Sequence, residues 1–172
     1  MIETDRLSLR PYRLDDYAAY LDMCSEPEVV RYIGGKPLSP EDAWNRVLRY
    51  AGHWSLLRYG IFAVFEKRSG RFIGETGLAG FRRGLGVGFD DAPESAWVFS
   101  ADVHGRGYAF EAADAAQVWF ANQRGDTRTV CLIDPANGPS LLLATRLGYI
   151  PFGEALYQGH MEIMLERQPV RT

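Results

Sequence analysis

No apolar run in this 172-residue chain approaches the roughly 20 residues that a bilayer-spanning helix needs, so a helical membrane protein is excluded. The opening MIETDRLSLR has neither an apolar core nor a small-residue cleavage site; no secretory signal is expected, and the expected compartment is the cytoplasm. Cysteine is scarce. Cys24 and Cys131 each lie in an apolar segment, far from one another, and read as two buried thiols rather than a disulfide or a metal site. His53, His104 and His160 show no ligand spacing, so no metal is expected. A formal charge of -3 gives no bulk attraction to nucleic acid or to an anionic membrane, and neither is expected as a partner. Repeats, low-complexity tracts and interdomain linkers are missing too. With 47% hydrophobic and 24% charged residues the chain can bury a core, and residues 1–172 read as one domain.

What the sequence does hold is a series of short strand-like stretches and a few helical ones. Residues 5–13, DRLSLRPYR, alternate Leu7 and Leu9 with polar neighbours and predict a first strand. Leu14, Tyr17, Ala18 and Leu21 follow at helical spacing, with Asp15 and Asp16 at the positive end. Ser39 as N-cap and Pro40 in the first position predict a longer helix, with Trp44, Val47, Leu48 and Ala51 as its apolar stripe. YGIFAVFEK and RFIGETGLAGF flank RSG as a hairpin, and ESAWVFSA and TRTVCLID add two strands separated by a helix. SLLLATRL is a last helix ending at Gly148, and YIPFGEALYQGHMEIMLERQ predicts two strands joined near Gln158 and Gly159. RRGLGVGFDDAP (82–93) reads as a mobile loop to which Asp90 and Asp91 lend negative potential or in which they are simply solvated acids, with FRRG (81–84) a solvated strand end. The economical architecture is α/β, a mixed sheet with helices on both faces.

The stretch that asks for an explanation is SADVHGRGYA, where a strand gives way to an alanine-rich helix. Gly105 and Gly107 let the backbone approach a ligand, the first amides of a helix have no internal partner, and Arg106 adds charge; together they suit an anion such as phosphate. Ala109, Ala112, Ala113 and Ala116 allow that helix to pack close on a sheet. On spacing alone, a plain helix-start turn fits equally well. The dinucleotide and P-loop patterns do not, for want of the third glycine and of Gly-Lys-Ser/Thr.

Two motifs at matching spacing resemble the GNAT superfamily of acyl-CoA-dependent N-acetyltransferases. HGRGYA (104–109) is similar to its Gln/Arg-x-x-Gly-x-Gly/Ala signature, with His104 in the first place. NGPSLLLATRLGY (137–149) resembles its Asn-x-x-Ser followed by Leu-Gly-aromatic. The opening IETDRLSLRPYRLDDYAAY is similar to the branch of ribosomal-protein N-terminal (alanine) acetyltransferases, and the likeness runs over roughly residues 3 to 166. The resemblance implies a single-domain fold whose mixed, mostly antiparallel sheet carries a splayed strand pair at the acyl-CoA site. It implies acetyl-CoA as cosubstrate, with its pyrophosphate on the amides of Gly105, Arg106, Gly107, Tyr108 and Ala109 beside His104. Phe99 and Ala101 would flank the pantetheine, and Asn137 and Ser140 would lie on its other side. Association as a monomer or homodimer is compatible with the family.

The implied reaction is direct attack of a primary amine, on a protein N-terminus or a small molecule, through a tetrahedral intermediate. An amine of pKa about 10.4 is only ~0.1% neutral near pH 7.4, a handicap of roughly 4 kcal/mol, whereas an α-amino group near 8 loses only about 1 kcal/mol. The need for a base therefore depends on the acceptor. Glu94, at the strand before the implied splay, and Glu75, mid-strand between apolar residues, are the candidate bases; their other readings are an ordinary strand-start acid for Glu94 and an edge position pointing to solvent for Glu75. Ser140 stands where many relatives carry a tyrosine acid, and its other reading is a capping hydroxyl. Tyr108 and Tyr149 read as packing aromatics. A backbone amide at Phe99 or a neighbour would stabilise the oxyanion. The alternative to an enzyme is a non-catalytic acyl-CoA-binding or sensing module, to which His104 and the missing tyrosine give room.

Overall fold

Alternation along the middle strands decides which helix packs where. The computed structural model describes residues 1–169, and its strands form one eight-stranded sheet in the order β1-β2-β3-β4-β5-β6-β8-β7. They are β1 (Ile2–Glu3), β2 (Leu7–Pro11), β3 (Ile61–Glu66), β4 (Phe72–Ala79), β5 (Glu94–Phe99), β6 (Thr129–Ile133), β7 (Ile150–Tyr157) and β8 (His160–Arg167). Helices α1 (Tyr17–Met23), α2 (Pro27–Val30), α3 (Pro40–Leu57), α4 (Tyr108–Arg124) and α5 (Gly138–Arg146) complete it. In β3, Ile61 and Ala63 join Tyr12, Tyr20, Val47 and Tyr50 under α1 and α3. Phe62 and Val64 point the other way, onto Tyr108, Ala112 and Ala116 of α4. A third cluster seats α4 and α5 on β6 and β8 through Ala113, Cys131, Ala144, Tyr149 and Leu165. Coverage on both faces is why β3 and β4 are buried along almost their whole length, Glu75 and Thr76 included.

The predicted elements are present, with differences that have local causes. The first strand spans Leu7–Pro11 and pairs with the short β1, Leu9 lying opposite Ile2. The first helix is cut into a 3-10 turn, Leu14–Asp16, followed by α1, because Asp16 is drawn into a capping bond with the Arg13 amide at 2.7 Å and a pair with Arg10. Pro27 then opens the four-residue α2, which the sequence pattern missed. Ser39 caps α3 by accepting from the Asp42 amide at 3.0 Å, as expected. Gly148 takes φ 86° past α5, and the Tyr149 amide reaches back to Ala144, closing the expected glycine stop. Among the described residues no helix is long and apolar enough to cross a membrane.

The feature that makes a site is a failure of pairing. β4 and β5 share six antiparallel residue pairs, and β6 and β8 share five. Between them, β5 and β6 run parallel and meet at one pair, Glu94 with Val130, where the Val130 amide donates to the Pro93 carbonyl at 3.0 Å. Beyond that vertex the two strands part.

Candidate active site

One wall of the opening is the free edge of β5. The Ser100 amide donates to Ile73 at 3.0 Å, which makes that cross-strand pair a hydrogen-bonded one. By the alternation of an antiparallel ladder, Val98 and Ala96 also bond toward β4, and the amides and carbonyls of Trp97 and Phe99 face the opening. The Phe99 carbonyl accepts from the His104 ring at 3.0 Å, so that nitrogen, Nε2, carries the proton. The Ala101 amide is engaged elsewhere: it donates to the Glu26 carboxylate at 3.0 Å, which ties α2 to the end of β5. Glu26 had no sequence signal, being 75 residues from its partner.

At the end of that strand the glycine turn has the conformation the sequence implied. Gly105 has φ 72° and Gly107 φ 78°, and a Cβ at Gly105 would meet nothing within 4 Å. Gly107 is the N-cap of α4 and supplies no side chain to its orphan amides. The first intrahelical bond runs from the Glu111 amide to the Gly107 carbonyl at 3.1 Å, which leaves the amides of Tyr108, Ala109 and Phe110 without a helical acceptor. The turn is braced from behind. Arg6 donates to the Arg106 carbonyl at 2.9 Å and to Glu111 at 2.6 Å. Arg6 and Arg106 both lie over the Tyr108 ring, at 4.4 and 4.8 Å from its centre. Tyr108 is therefore more than packing: its hydroxyl donates to Glu66 at 2.6 Å and holds that carboxyl below the usual range.

The opposite wall comes from the turn into α5. Asn137 caps the helix by accepting from the Ser140 amide at 3.2 Å. Ser140 Oγ accepts from the Trp97 indole, also at 3.2 Å, so a side chain from β5 reaches α5 below the opening. Tyr149 lies at the closed end, where its hydroxyl meets Thr129 at 2.8 Å and accepts from Gln117; burial pushes it up to about 12.

Both candidate carboxylates face the α1/α3 side of the sheet, and both are spoken for. Glu94, 3% exposed, is held bidentately by Arg83 at 2.7 and 2.7 Å. Arg83 is thus not the solvated strand end the sequence suggested; it stacks on Phe81 and Tyr157, each at 4.9 Å. Burial raises the Glu94 carboxyl even though Arg83 pulls against it. Glu75 does not point to solvent from an edge: it is buried on β4, between β3 and β5, accepting from Tyr12 at 2.6 Å and Tyr50 at 2.9 Å. Burial raises it as well, opposed by the tyrosine hydroxyls and by Arg46. Asp90 and Asp91 also shape the loop: Asp90 accepts from the amides of Gly84 and Gly86, and Asp91, itself exposed, from Gly88. Among the described residues no group of three or more His, Cys, Asp and Glu could hold a metal ion.

An open parallel splay beside an uncapped helix start, in an open, mostly antiparallel mixed sheet of eight strands, is the arrangement of a GNAT fold. The comparison with known families agrees: the acetyltransferase (GNAT) domain matches residues 6–150, and the chain belongs to that family, whose members transfer acetyl groups from acetyl-CoA. It is 34% identical to a protein described as a GNAT-family acetyltransferase from Bordetella pertussis, with a TM-score of 0.87 over 96% of this chain and 98% of that one. At the level of fold alone it is similar to the ribosomal-protein-S5-alanine acetyltransferase from Vibrio fischeri, with TM-score 0.75, 16% identity, and 97% and 95% of the two chains covered. The same holds for spermidine N-acetyltransferase from Vibrio cholerae in complex with CoA and spermine, with TM-score 0.74, 14% identity, and 96% and 97% covered.

Proposed function

We propose that this chain is one N-acetyltransferase domain that moves the acetyl group of acetyl-CoA to a primary amine, on a protein N-terminus or a small molecule. The observation that carries the reading is the splay itself, opening directly onto the uncapped amides of α4. The pyrophosphate would rest on the amides of Gly105 to Ala109, where positive-φ glycines leave room and the helix end favours an anion. The amide-bearing pantetheine would lie along the edge of Trp97 and Phe99, with Ala101 and His104 at its outer end and Asn137 and Ser140 across from it. The amine would arrive from the α1/α3 side, where Glu94 and Glu75 lie.

In the reaction the amine nitrogen bonds to the thioester carbon, the C–S bond breaks, and the electron pair stays on sulfur. The Phe99 amide is positioned to stabilise the oxyanion, Ser140 to stabilise the departing thiolate, and a carboxylate, through water, to take the amine proton. Glu94 is the nearer to the vertex of the splay. Glu94→Gln and Glu75→Gln test this: the variant that removes the base loses the acid limb of the pH–rate profile, and unchanged profiles in both remove the carboxylates from the mechanism.

The deciding experiment is calorimetric titration with acetyl-CoA, followed by CoA release in the presence of peptide and polyamine acceptors. Binding with release upon adding an amine supports the enzyme. Binding with no release from any acceptor favours an acyl-CoA sensor, and absence of binding refutes both.

A further inference from the structure

We infer that Trp97 is a positioning residue for Ser140, fixing which way that hydroxyl donates. This rests on the acetyl-transfer reading above.

An indole N–H can only donate, so the 3.2 Å contact makes Ser140 Oγ the acceptor. A hydroxyl carries one hydrogen, and no described residue accepts the hydrogen of Ser140. Other hydroxyls in the helices behave differently. Thr145, in the same helix, donates to the Leu141 carbonyl at 2.9 Å, and Ser25, just past α1, donates to Leu21 at 2.8 Å. That backward bond is the ordinary fate of a helical hydroxyl. Ser140 makes no such bond: it stands in the first turn of α5, and the residue four back, Ala136, lies outside the helix before the Asn137 cap. Its hydrogen is left for a ligand.

The indole that sets this arrangement is itself held. Its ring packs edge-on against Tyr149, 6.5 Å between centres, and the Tyr149 hydroxyl is fixed by Thr129 and Gln117 at the closed end of the splay. Trp97 also presents its backbone to the opening, so one residue lines the site twice. During transfer, negative charge collects on sulfur as the C–S bond breaks. The chain from indole N–H to serine O–H to thiolate is then polarised in one direction, and each bond strengthens the next. The serine keeps its proton: the amine's proton leaves through the carboxylate side, and the thiolate is finally protonated from solvent.

The test uses CoA as the probe and needs no acceptor. The thiolate absorbance of bound CoA is titrated against pH in the wild type, Trp97→Phe, Ser140→Ala and the double variant. Loss of a hydrogen bond to a charged sulfur moves the thiol about one pH unit higher in Ser140→Ala. Trp97→Phe is expected to show part of the same rise, and the double variant to match Ser140→Ala. Benzothienylalanine at position 97, which keeps the bicyclic shape and lacks the N–H, gives the same result as phenylalanine and covers the case in which Phe disturbs folding. A thiol that titrates alike with Trp and benzothienylalanine overturns the inference, as does an indole effect that persists at full size without Ser140. Failure of the wild type to bind CoA is a separate result, which removes the acetyl-transfer reading together with this one.

Discussion

Replacing Arg83 by methionine isolates a buried charge and should be the most damaging conservative change near the site. Glu94 is 3% exposed and depends on Arg83 for both of its oxygens. Methionine retains the apolar stem against Phe81 and Tyr157 but leaves the carboxylate without a counter-charge. Breaking one side of a buried ion pair costs about 3–5 kcal/mol. For a chain of this size that corresponds to a fall in Tm of roughly 6–20 °C. Replacing both partners with apolar groups removes the orphaned charge, so Arg83→Met with Glu94→Leu should recover most of the loss.

The pH dependence supplies a second check on the same variant. Burial already raises Glu94 in the native protein, and without Arg83 nothing of comparable size opposes it. A carboxyl whose folded value lies above its unfolded one holds a proton in the folded state that the unfolded state has lost. Stability therefore falls as pH rises through the window between the two values. Arg83→Met should lie closest to the wild type at about pH 5 and fall away toward neutrality. Urea denaturation at both pH values measures this. A loss below about 1 kcal/mol at neutral pH, or one that grows on acidification, would refute the account of Glu94 as a charge neutralised by Arg83.

The other predictions concern different parts of the molecule. Gly107→Glu should abolish acetyl-CoA binding in calorimetry, while Gly107→Ala, which shares the strain of φ 78° without the charge, should retain most of it. Glu75→Gln leaves one of the Tyr12 and Tyr50 hydroxyls facing an amide that cannot accept, and thermal unfolding should register a loss of about 1–3 kcal/mol. Gly77→Ala drives a Cβ to 2.4 Å from the Gly60 carbonyl, so it should destabilise by at least about 1–3 kcal/mol in the same assay. Ser39→Ala removes the cap of α3 far from the site, and should cost about 1 kcal/mol with acetyl-CoA affinity unchanged.

Local chemistry was readable in the sequence and long-range pairing was not. Gly105, Gly107 and Gly148 act through their own backbone, and each stands where its neighbours in the chain suggested; the capping of α5 by Asn137 was not foreseen. Glu75 was conspicuous as a charge among apolar residues, but its partners come from two other elements, 63 and 25 residues away. Arg83 was passed over because its surroundings are glycine-rich. Only the folding of that loop, with Asp90 and Asp91 gathering the amides of Gly84, Gly86 and Gly88, brings the guanidinium to Glu94. The first helix was misjudged for a related reason: Leu14, Tyr17 and Leu21 repeat at helical spacing, but Asp16 binds backward to Arg13 and Arg10 and interrupts the run. The splay was legible through resemblance alone, since nothing in the composition of β5 or β6 distinguishes a strand that pairs from one that does not.

Why those two strands part follows from what each does on its other side. β5 has a six-pair ladder with β4, and β6 a five-pair ladder with β8, so opening the sheet between them sacrifices bonds along one inner edge only. The closed end is fastened by more than the bond from Val130 to Pro93. Beneath it Gln117 donates to Ser95 at 3.3 Å and to Tyr149, whose hydroxyl also meets Thr129, so α4, β5, β6 and the residue after Gly148 share one buried polar knot. With the vertex pinned and both outer ladders intact, the opening is a fixed part of the sheet rather than a frayed end. The edge it exposes, Trp97 and Phe99, holds backbone groups at the spacing of a strand. An extended chain bearing amides can take the place of the missing neighbour, as a peptide does when it adds to a sheet. The pantetheine arm of acetyl-CoA is such a chain. On the reading proposed above, a ligand held in this way would reach the glycine turn at one end and the Ser140 hydroxyl along its length, in the order in which pyrophosphate and thioester occur in acetyl-CoA.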